Sequence, residues 1–338
     1  MADFRVVVVG TGAVGDEMVK VLRERKFPMS ELRILARSNR KQKIAGEEYD
    51  VRETTADAFD GIDIAFFAGT EGERGASQLY GWGAVERGVF VVDNGDDYRM
   101  DPRVPLVVPE VNGDALDDQQ GFVSNPNCST IQMVVALAPL HRAARIRRVV
   151  VTTFQSVSGT GSAAVAELER QVREVPAGQP ARPEQYPHPV FANVIPQVST
   201  LKDIYPGYYG EEIKMIRETR KILSEPDLAL TATCVRVPVF LAHSEAINVE
   251  FEQELSAERA REILSAAPGV VVVDDPARSR YPMPIDAAGK DEVFVGRIRE
   301  DPSLPNTLDL WCVSDNIRKG AATNAIQIAE KMIAMGLL

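Results

Sequence analysis

The chain has 338 residues, enough for two domains with a sizeable core. Hydrophobic residues make up 45% and charged residues 26%, the proportions of an ordinary soluble globular protein. With 38 Lys and Arg against 49 Asp and Glu, the net charge is −11; this argues against a nucleic-acid surface but leaves room for a local basic pocket that takes a small anion.

The chain begins MADFRVVVVGTG, already strand and turn and without the basic start and cleavage site of a signal peptide. No apolar run reaches the roughly 18 residues that suggest a membrane span. FRVVVV (4–9) is continuously apolar, as expected of a strand buried on both faces. GTGAVG follows, with Gly10, Gly12 and Gly15 in dinucleotide-binding spacing, and then a helical stretch, DEMVKVLRERK. Glycines there permit a tight turn and close backbone approach, and the helix N-terminus offers N–H groups to a pyrophosphate. ELRILA (31–36) is the second strand, and it runs into Arg37, Ser38, Asn39 and Arg40. The acid that would hold a ribose 2′-hydroxyl is missing, while cationic and hydroxyl donors suited to a 2′-phosphate are present, which favours NADP. IDIAFFAG (62–69), GVFVVDN (88–94) and LVVPEVN (106–112) read as three further strands. The first third is therefore an α/β, Rossmann-like doubly wound domain.

The character changes after SNPNC. RIRRVVVTTF (145–154) is strand-like, and GSAAVAELERQVREV (161–175) is a helix with apolar Val165, Leu168 and Val172. A Pro-rich loop follows, too long for a simple connection and so functional or interfacial. EEIKMIRETRKILS (211–224) is a helix. LALTATCVRVPVFLA (228–242) and SEAINVEFEQEL (244–255) read as consecutive strands turning around His243, with more strands near 292–299 and 307–313. The last segment, NIRKGAATNAIQIAEKMIAMG, is an amphipathic helix expected to pack back on the first domain.

The chain has three cysteines, without metal-type spacing, which fits free thiols in a reducing cytoplasm and no metal site. Cys234 and Cys312 sit in apolar strands and read as inert core. Cys128 opens a helix, where the macrodipole favours a thiolate; its context alone leaves a packed thiol and a nucleophile equally open. Of three histidines, His141 and His188 read as surface or loop residues. His243, at a turn, could face a cleft, and histidine is the usual partner of a cysteine nucleophile; by itself its position is also that of a structural histidine.

Taken together, GTGAVG, DNGDDYRMDPRVPLVVPEVN, SNPNCSTIQMV, FQSVSGTG, the EEIKM and ETRKIL blocks, TCVRVPV with AHSEAINVEFE, and the final DNIRKGAA run in the order of one family. The chain resembles aspartate-β-semialdehyde dehydrogenases over essentially its whole length. That resemblance implies NADPH-dependent reduction of aspartyl β-phosphate to aspartate semialdehyde with release of phosphate, serving lysine, threonine, methionine and diaminopimelate synthesis. It implies that Cys128 forms a thioester, that His243 is the acid/base, and that Gln155 orients the acyl group. Arg236 would clamp the α-carboxylate and Glu211 meet the ammonium group, with adjacent Glu212 leaving a one-residue ambiguity. Lys214 and Arg99 would hold phosphate, and Asn127 belongs to the same substrate set. The cofactor set is Gly10, Thr11, Gly12, Ala13, Val14, Arg37, Ser38, Asn39, Arg40, Ser158, Gly159 and Asn316.

Departures from the family pattern are local. GTGAVG is one residue shorter than the family's GATGAVG, QSVSG stands for QAVSG, and the ASxRSAGK-like segment is shifted, so either Arg37-Ser38 or Asn39-Arg40 meets the 2′-phosphate. The expected organisation is a nucleotide-binding domain of residues 1–125 joined by 315–338, and an α+β catalytic and dimerisation domain of 126–314, with the active site in the cleft between them. A homodimer or dimer of dimers, cytoplasmic and without membrane or nucleic-acid partners, is implied. N-acetyl-γ-glutamyl-phosphate reductase is the alternative enzyme, although its cysteine block reads more like NPGCYPT. A non-catalytic paralogue is the alternative from another class, although both Cys128 and His243 are kept.

Overall fold

The computed structural model describes residues 3–69 and 75–338. The chain divides into two compact units, one of residues 1–127 with 320–338 and the other of residues 128–319. No helix among the described residues is long and apolar enough to cross a membrane.

The first unit contains β1 (Phe4–Val9), α1 (Ala13–Glu24), β2 (Met29–Ala36), β3 (Arg40–Ile44), β4 (Glu47–Glu53), β5 (Ile64–Phe67), α2 (Trp82–Val85), β6 (Phe90–Asp93), α3 (Pro109–Asn112) and β7 (Phe122–Ser124). Its sheet has the order β3-β4-β2-β1-β5-β6-β7 and is parallel except for the β3–β4 hairpin at one edge. The valines of β1 alternate between two apolar layers. Val6 and Val8 pack with Met18 and Leu22 of α1 and with Ile326, Ala329 and Met332 of the C-terminal helix (Thr323–Met335). Val7 and Val9 pack with Phe59, Ala84 and Phe122 on the opposite face. Burial on both faces is why the run carries no polar alternation. Strand order turns outward in both directions from β1 and β5, so the loop after β1 lies at the switch point where such sheets bind ligands.

One sequence expectation changes here. LVVPEVN is not a strand: Leu106 makes one isolated bridge to Ser124, and Pro109 then starts α3. Proline has no N–H for a ladder and suits the first helical turn. Asn112 fixes the bend by accepting from the Val108 N–H at 2.9 Å and donating to the Leu106 carbonyl at 2.9 Å. The last strand of this sheet is instead Phe122–Ser124. The basic segment after β2 leads into Arg40–Ile44, the outer strand of the hairpin.

The second unit contains α4 (Cys128–Ala144), β8 (Ile146–Gln155), α5 (Ser162–Glu174), α6 (Gly210–Ile222), β9 (Ala229–Arg236), β10 (His243–Phe251), α7 (Ala257–Ser265), β11 (Val270–Val272), α8 (Pro284–Ala287), β12 (Val293–Glu300) and β13 (Thr307–Ser314). The mixed sheet runs β11-β12-β13-β10-β8-β9. β9 and β10 are not neighbours: β9 runs parallel to β8, and β10 lies antiparallel between β8 and β13. His243 is accordingly not in a turn but begins β10, paired with Ser314 and 1% exposed. Pro238 and the irregular segment around it, not the histidine, break the strand run.

Helix α5 buries a different stripe from the one its apolar residues suggest. Val172 is exposed, while Glu167 and Gln171 are buried beside Leu168. These two polar side chains hold the Pro-rich loop. Glu167 accepts from the N–H groups of Glu184 and Gln185 at 3.1 and 2.6 Å. Gln171 accepts from Val190 and Phe191 at 3.1 and 3.0 Å and donates to the Arg182 carbonyl at 3.0 Å. Backbone groups of a loop with little ladder of its own are thus satisfied by two side chains.

Candidate active site

In the first unit the nucleotide motif resolves into three different jobs. Gly10 has φ of +110°, which favours glycine. Gly15, in α1, lies so near the chain that an added Cβ would fall 2.0 Å from the Gly10 carbonyl oxygen. Gly12 precedes α1 without a side-chain cap, and an added Cβ there would meet nothing within 4 Å. Gly12, just before the N-terminal amides of α1 at Ala13 and Val14, thus leaves open space where a side chain would stand, as the approach of a dinucleotide phosphate requires.

Two of the residues expected at a 2′-phosphate, Ser38 and Arg40, come together, and Thr11 of the glycine loop joins them. Arg40 donates to Thr11 Oγ1 at 2.7 Å and to the Ser38 carbonyl and hydroxyl at 3.1 and 3.4 Å. Gln42 adds a bond to the Thr11 carbonyl at 3.2 Å, so β3 braces the glycine loop. Asn39 is turned away, its side-chain oxygen accepting from the Glu53 N–H at 2.7 Å. Arg37 is exposed. Elsewhere in this unit, Arg99 is buried and donates to the carbonyls of Asn125 and Asn94 at 3.0 and 2.9 Å. Asn127 is buried as well. This set fits a dinucleotide carrying an extra phosphate: bare backbone at a helix start, one braced guanidinium and two hydroxyls.

In the second unit, Cys128 is the first residue of α4, half-buried and outside any disulfide. The next residue, Ser129, accepts from Gln155 Nε2 at 2.6 Å, and the same nitrogen donates to Glu211 Oε1 at 3.0 Å. Gln155 ends β8 beside Arg236, which ends β9. Arg236 is 5% exposed, donates to the Ser156 carbonyl, and lies against the Tyr186 ring at 5.7 Å from its centroid. The tyrosine hydroxyl donates to Thr160 Oγ1 at 2.9 Å.

Histidine 243 is fixed by the same loop. The Ser156 N–H donates to His243 Nδ1 at 3.0 Å, with the Ser156 hydroxyl also 3.0 Å away. An added Cβ on Gly159 would lie 3.2 Å from both His243 Nε2 and Arg236 Nη1, so Gly159 is bare where the two side chains converge. Burial, with the Arg236 charge second, lowers the His243 pKa to about 3, against the smaller opposing effects of Glu211 and the Ala242 backbone. Asn316 Oδ1 accepts from Ser156 Oγ, Ser158 Oγ and Ala242 N at 3.0 to 3.1 Å. Asn316 and Ser158 thus tie the loop to the strand start.

The choice between the adjacent acids has a structural basis. Glu212 accepts from Tyr209 N at 2.8 Å, closing the start of α6, and from Cys234 N at 3.1 Å on the outer edge of β9. Both its oxygens serve the backbone, whereas Glu211 reaches Gln155. Lys214, half-buried, lies three residues along α6 from Glu211, hence on the same side of the helix.

Beneath the row formed by Arg236, Gln155 and His243 lies a second buried row. Cys234 pairs with Thr153, Thr153 with Glu245, and Glu245 with Cys312. Glu245 is 0% exposed, and burial holds its carboxyl well above the ordinary carboxylate range, partly offset by the Gln132 side chain. Burial likewise raises both thiols, which suits packed rather than reactive cysteines.

Ser129, Ser156, Thr160 and Tyr186 were not singled out by sequence reasoning. Ser129 and Ser156 sit inside quoted motifs, so adjacency to Cys128 and Gln155 was the available signal. Tyr186 had none, because its place depends on how the Pro-rich loop folds back.

Comparison with known proteins gives a consistent picture. A profile described as "Semialdehyde dehydrogenase, NAD binding domain" matches residues 5–119, and "Semialdehyde dehydrogenase, dimerisation domain" matches residues 137–319. The chain is 47% identical over 345 aligned positions to an aspartate-semialdehyde dehydrogenase of Aquifex aeolicus, covering 99% of each chain. The crystal structure of aspartate semialdehyde dehydrogenase II complexed with ASA, from Vibrio cholerae, superposes with a TM-score of 0.92 at 42% identity, covering 99% of each chain. A Candida albicans aspartate semialdehyde dehydrogenase structure with NADP has a TM-score of 0.75 at 25% identity, covering 100% of each chain.

Proposed function

We propose that this chain, which belongs to the aspartate-semialdehyde dehydrogenase family, converts L-aspartyl 4-phosphate to L-aspartate 4-semialdehyde and phosphate, reversibly, through a thioester on Cys128. The observation that carries the reading is the linked set at the sheet end: Cys128 beginning α4, Ser129 bonded to Gln155, and Ser156 bonded to His243.

At the first residue of a 17-residue helix, the thiolate of Cys128 is favoured by the positive end of the dipole. It attacks the acyl phosphate, forming the C–S bond as the bond to phosphate breaks. Bound NADPH supplies the hydride that reduces the thioester. Gln155, held by Ser129 and Glu211, orients the acyl group. The planar Arg236 guanidinium receives the α-carboxylate, a match of two parallel hydrogen bonds. Glu211 rather than Glu212 meets the ammonium, because Glu212 is committed to two backbone amides. Lys214 and Arg99 take the phosphate, with Asn127 in the substrate set, and His243 serves the reacting carbonyl.

NADP is the cofactor of choice in this reading. Gly10, Thr11, Gly12, Ala13 and Val14 receive the pyrophosphate. Arg40, braced to Thr11 and Ser38, receives the 2′-phosphate, with Arg37 and Asn39 at its margin. Ser158, Gly159 and Asn316 attend the nicotinamide. Residues 1–125 with 315–338 form the NADP-binding domain and 126–314 the catalytic domain, which also builds a homodimer, alone or paired into a dimer of dimers. The enzyme works in the cytoplasm, in the lysine, threonine, methionine and diaminopimelate pathway.

The test is nicotinamide absorbance with aspartate semialdehyde, assayed with NADP and NAD and with and without inorganic phosphate. Phosphate-dependent NADP reduction is expected. Indifference to phosphate, or preference for N-acetylglutamate semialdehyde, overturns the assignment.

A further inference from the structure

We infer that Tyr186 is a positioning residue for the substrate-carboxylate clamp, setting the plane of the Arg236 guanidinium from a mount built on α5. The inference deepens the proposed reaction and rests on that reading for the assignment of Arg236 to the α-carboxylate.

Hydrogen bonds alone do not fix this guanidinium. Arg236 is 5% exposed, yet among the described residues its side chain makes one hydrogen bond, from Nη1 to the Ser156 carbonyl, and Nε is buried without a partner. A single bond leaves the plane free to turn about the line from donor to acceptor. A carboxylate taken through two parallel bonds needs that plane fixed. The Tyr186 ring supplies the missing constraint: its centroid lies 5.7 Å from Arg236 Cζ, and an aromatic face attracts a cation.

The ring is itself held. Its hydroxyl donates to Thr160 Oγ1 at 2.9 Å, and its body packs against the cluster of Val157, Leu168, Val190 and Ile195. Burial raises the phenol pKa, against the smaller effect of the Arg236 charge, so the ring stays a neutral partner of the cation.

The backbone on either side of Tyr186 is bolted to α5. Glu167 accepts from the amides of Glu184 and Gln185 just before it, and Gln171 from those of Val190 and Phe191 just after. Gln171 Nε2 donates to Glu167 Oε1 at 2.8 Å, which locks the two anchors together. Farther along, Ile195 exchanges backbone bonds of 2.9 and 2.8 Å with Arg236. The loop therefore grips the clamp twice, by its backbone and by its guanidinium. An acid 2% exposed and an amide 0% exposed are costly to bury for a surface loop, and what that loop carries accounts for them.

Two substitutions at Tyr186 separate the ring from its hydroxyl. Tyr186→Leu removes the flat face but keeps an apolar side chain in the cluster, and Tyr186→Phe keeps the face. In the phosphate-dependent assay, Tyr186→Leu is expected to raise the KM for aspartate semialdehyde about tenfold or more. Its kcat, and its KM for phosphate and for NADP, should stay within about twofold. Tyr186→Phe should stay within about twofold throughout. Glu167→Gln, which turns an amide toward Gln171 and loosens the mount, should raise the same KM about fourfold. A merely structural tyrosine would move every constant together with the melting temperature, and that result overturns the inference. So does an unchanged KM for aspartate semialdehyde in Tyr186→Leu, or a Tyr186→Phe protein as impaired as Tyr186→Leu. An unchanged KM in Glu167→Gln refutes the mount. Should Tyr186→Leu not fold, the more adaptable Tyr186→Met carries the same comparison. Failure of the proposed reaction itself would appear separately, as missing phosphate dependence in the unaltered protein.

Discussion

Replacing Cys128 with alanine is expected to lower kcat by about 10⁴-fold or more, with thermal stability and NADP binding unchanged. The side chain is half-buried at the first residue of α4, and alanine is the best helix former, so the truncation removes little packing. It removes the atom proposed to carry the acyl group, and no other side chain in the buried rows can replace it. Cys234 and Cys312 are each 0% exposed, with thiols made less acidic by burial. Steady-state kinetics, a melting curve and a cofactor titration on the same preparation check the outcome. Parallel loss of activity, stability and binding would show that Cys128 is a packing residue. Retained activity would remove the thioester altogether.

Gly15→Ala should be the most damaging small substitution in the first unit. The new Cβ would stand 2.0 Å from the Gly10 carbonyl oxygen and 2.8 Å from its carbon, both backbone atoms that no rotamer change can move. Relief requires α1 to shift away from the β1 loop, at a cost of about 3 kcal/mol or more. The expected result is a lower melting temperature together with weakened NADP binding. Gly12→Ala is the internal comparison: its Cβ meets nothing within 4 Å, so stability should hold while binding falls, since the methyl occupies the phosphate's approach. A Gly12→Ala protein that binds NADP normally would place the pyrophosphate elsewhere, and a Gly15→Ala protein with unchanged melting would refute the close-contact argument.

Much of this was legible in the sequence where a local pattern carries the physics. The all-apolar FRVVVV, the glycine spacing and the helix beginning at Cys128 each express one local requirement. The β3–β4 hairpin was not legible, because RKQKI and EEYDVRE bury only Ile44 and Val51, half-bury Gln42 and Tyr49, and expose the rest. LVVPEVN had the hydropathy of a strand, and only Pro109 and Asn112 betray the bend. Hydropathy cannot reveal that Glu167 and Gln171 point inward, since their value lies in loop amides up to 20 residues away. The separation of β9 from β10 is a matter of non-local topology. It decides that Arg236 and His243 approach from opposite sides of β8, each through Ser156. The family resemblance pointed to Cys128, Gln155, Arg236 and His243; the hydrogen bonds through Ser129, Ser156 and Asn316 became visible only in three dimensions.

Two neutral groups on β10 make the protein's stability a proton-counting problem. Folding denies His243 a proton that the unfolded chain accepts below about pH 6.5, so its contribution is lost as pH falls from there toward 3. Folding makes Glu245 keep a proton that the unfolded chain releases above about pH 4.5, so its contribution is lost as pH rises from there. Between those two values one proton is excluded and one retained, and the pair's net proton uptake on folding is close to zero. The strand thereby gives the fold a plateau in mildly acidic solution, flanked by an acid limb owned by the histidine and an alkaline limb owned by the glutamate. Urea unfolding across this range should show Glu245→Gln flattening the alkaline limb alone; a variant that leaves that limb unchanged would mean the carboxyl is ionised in the folded protein.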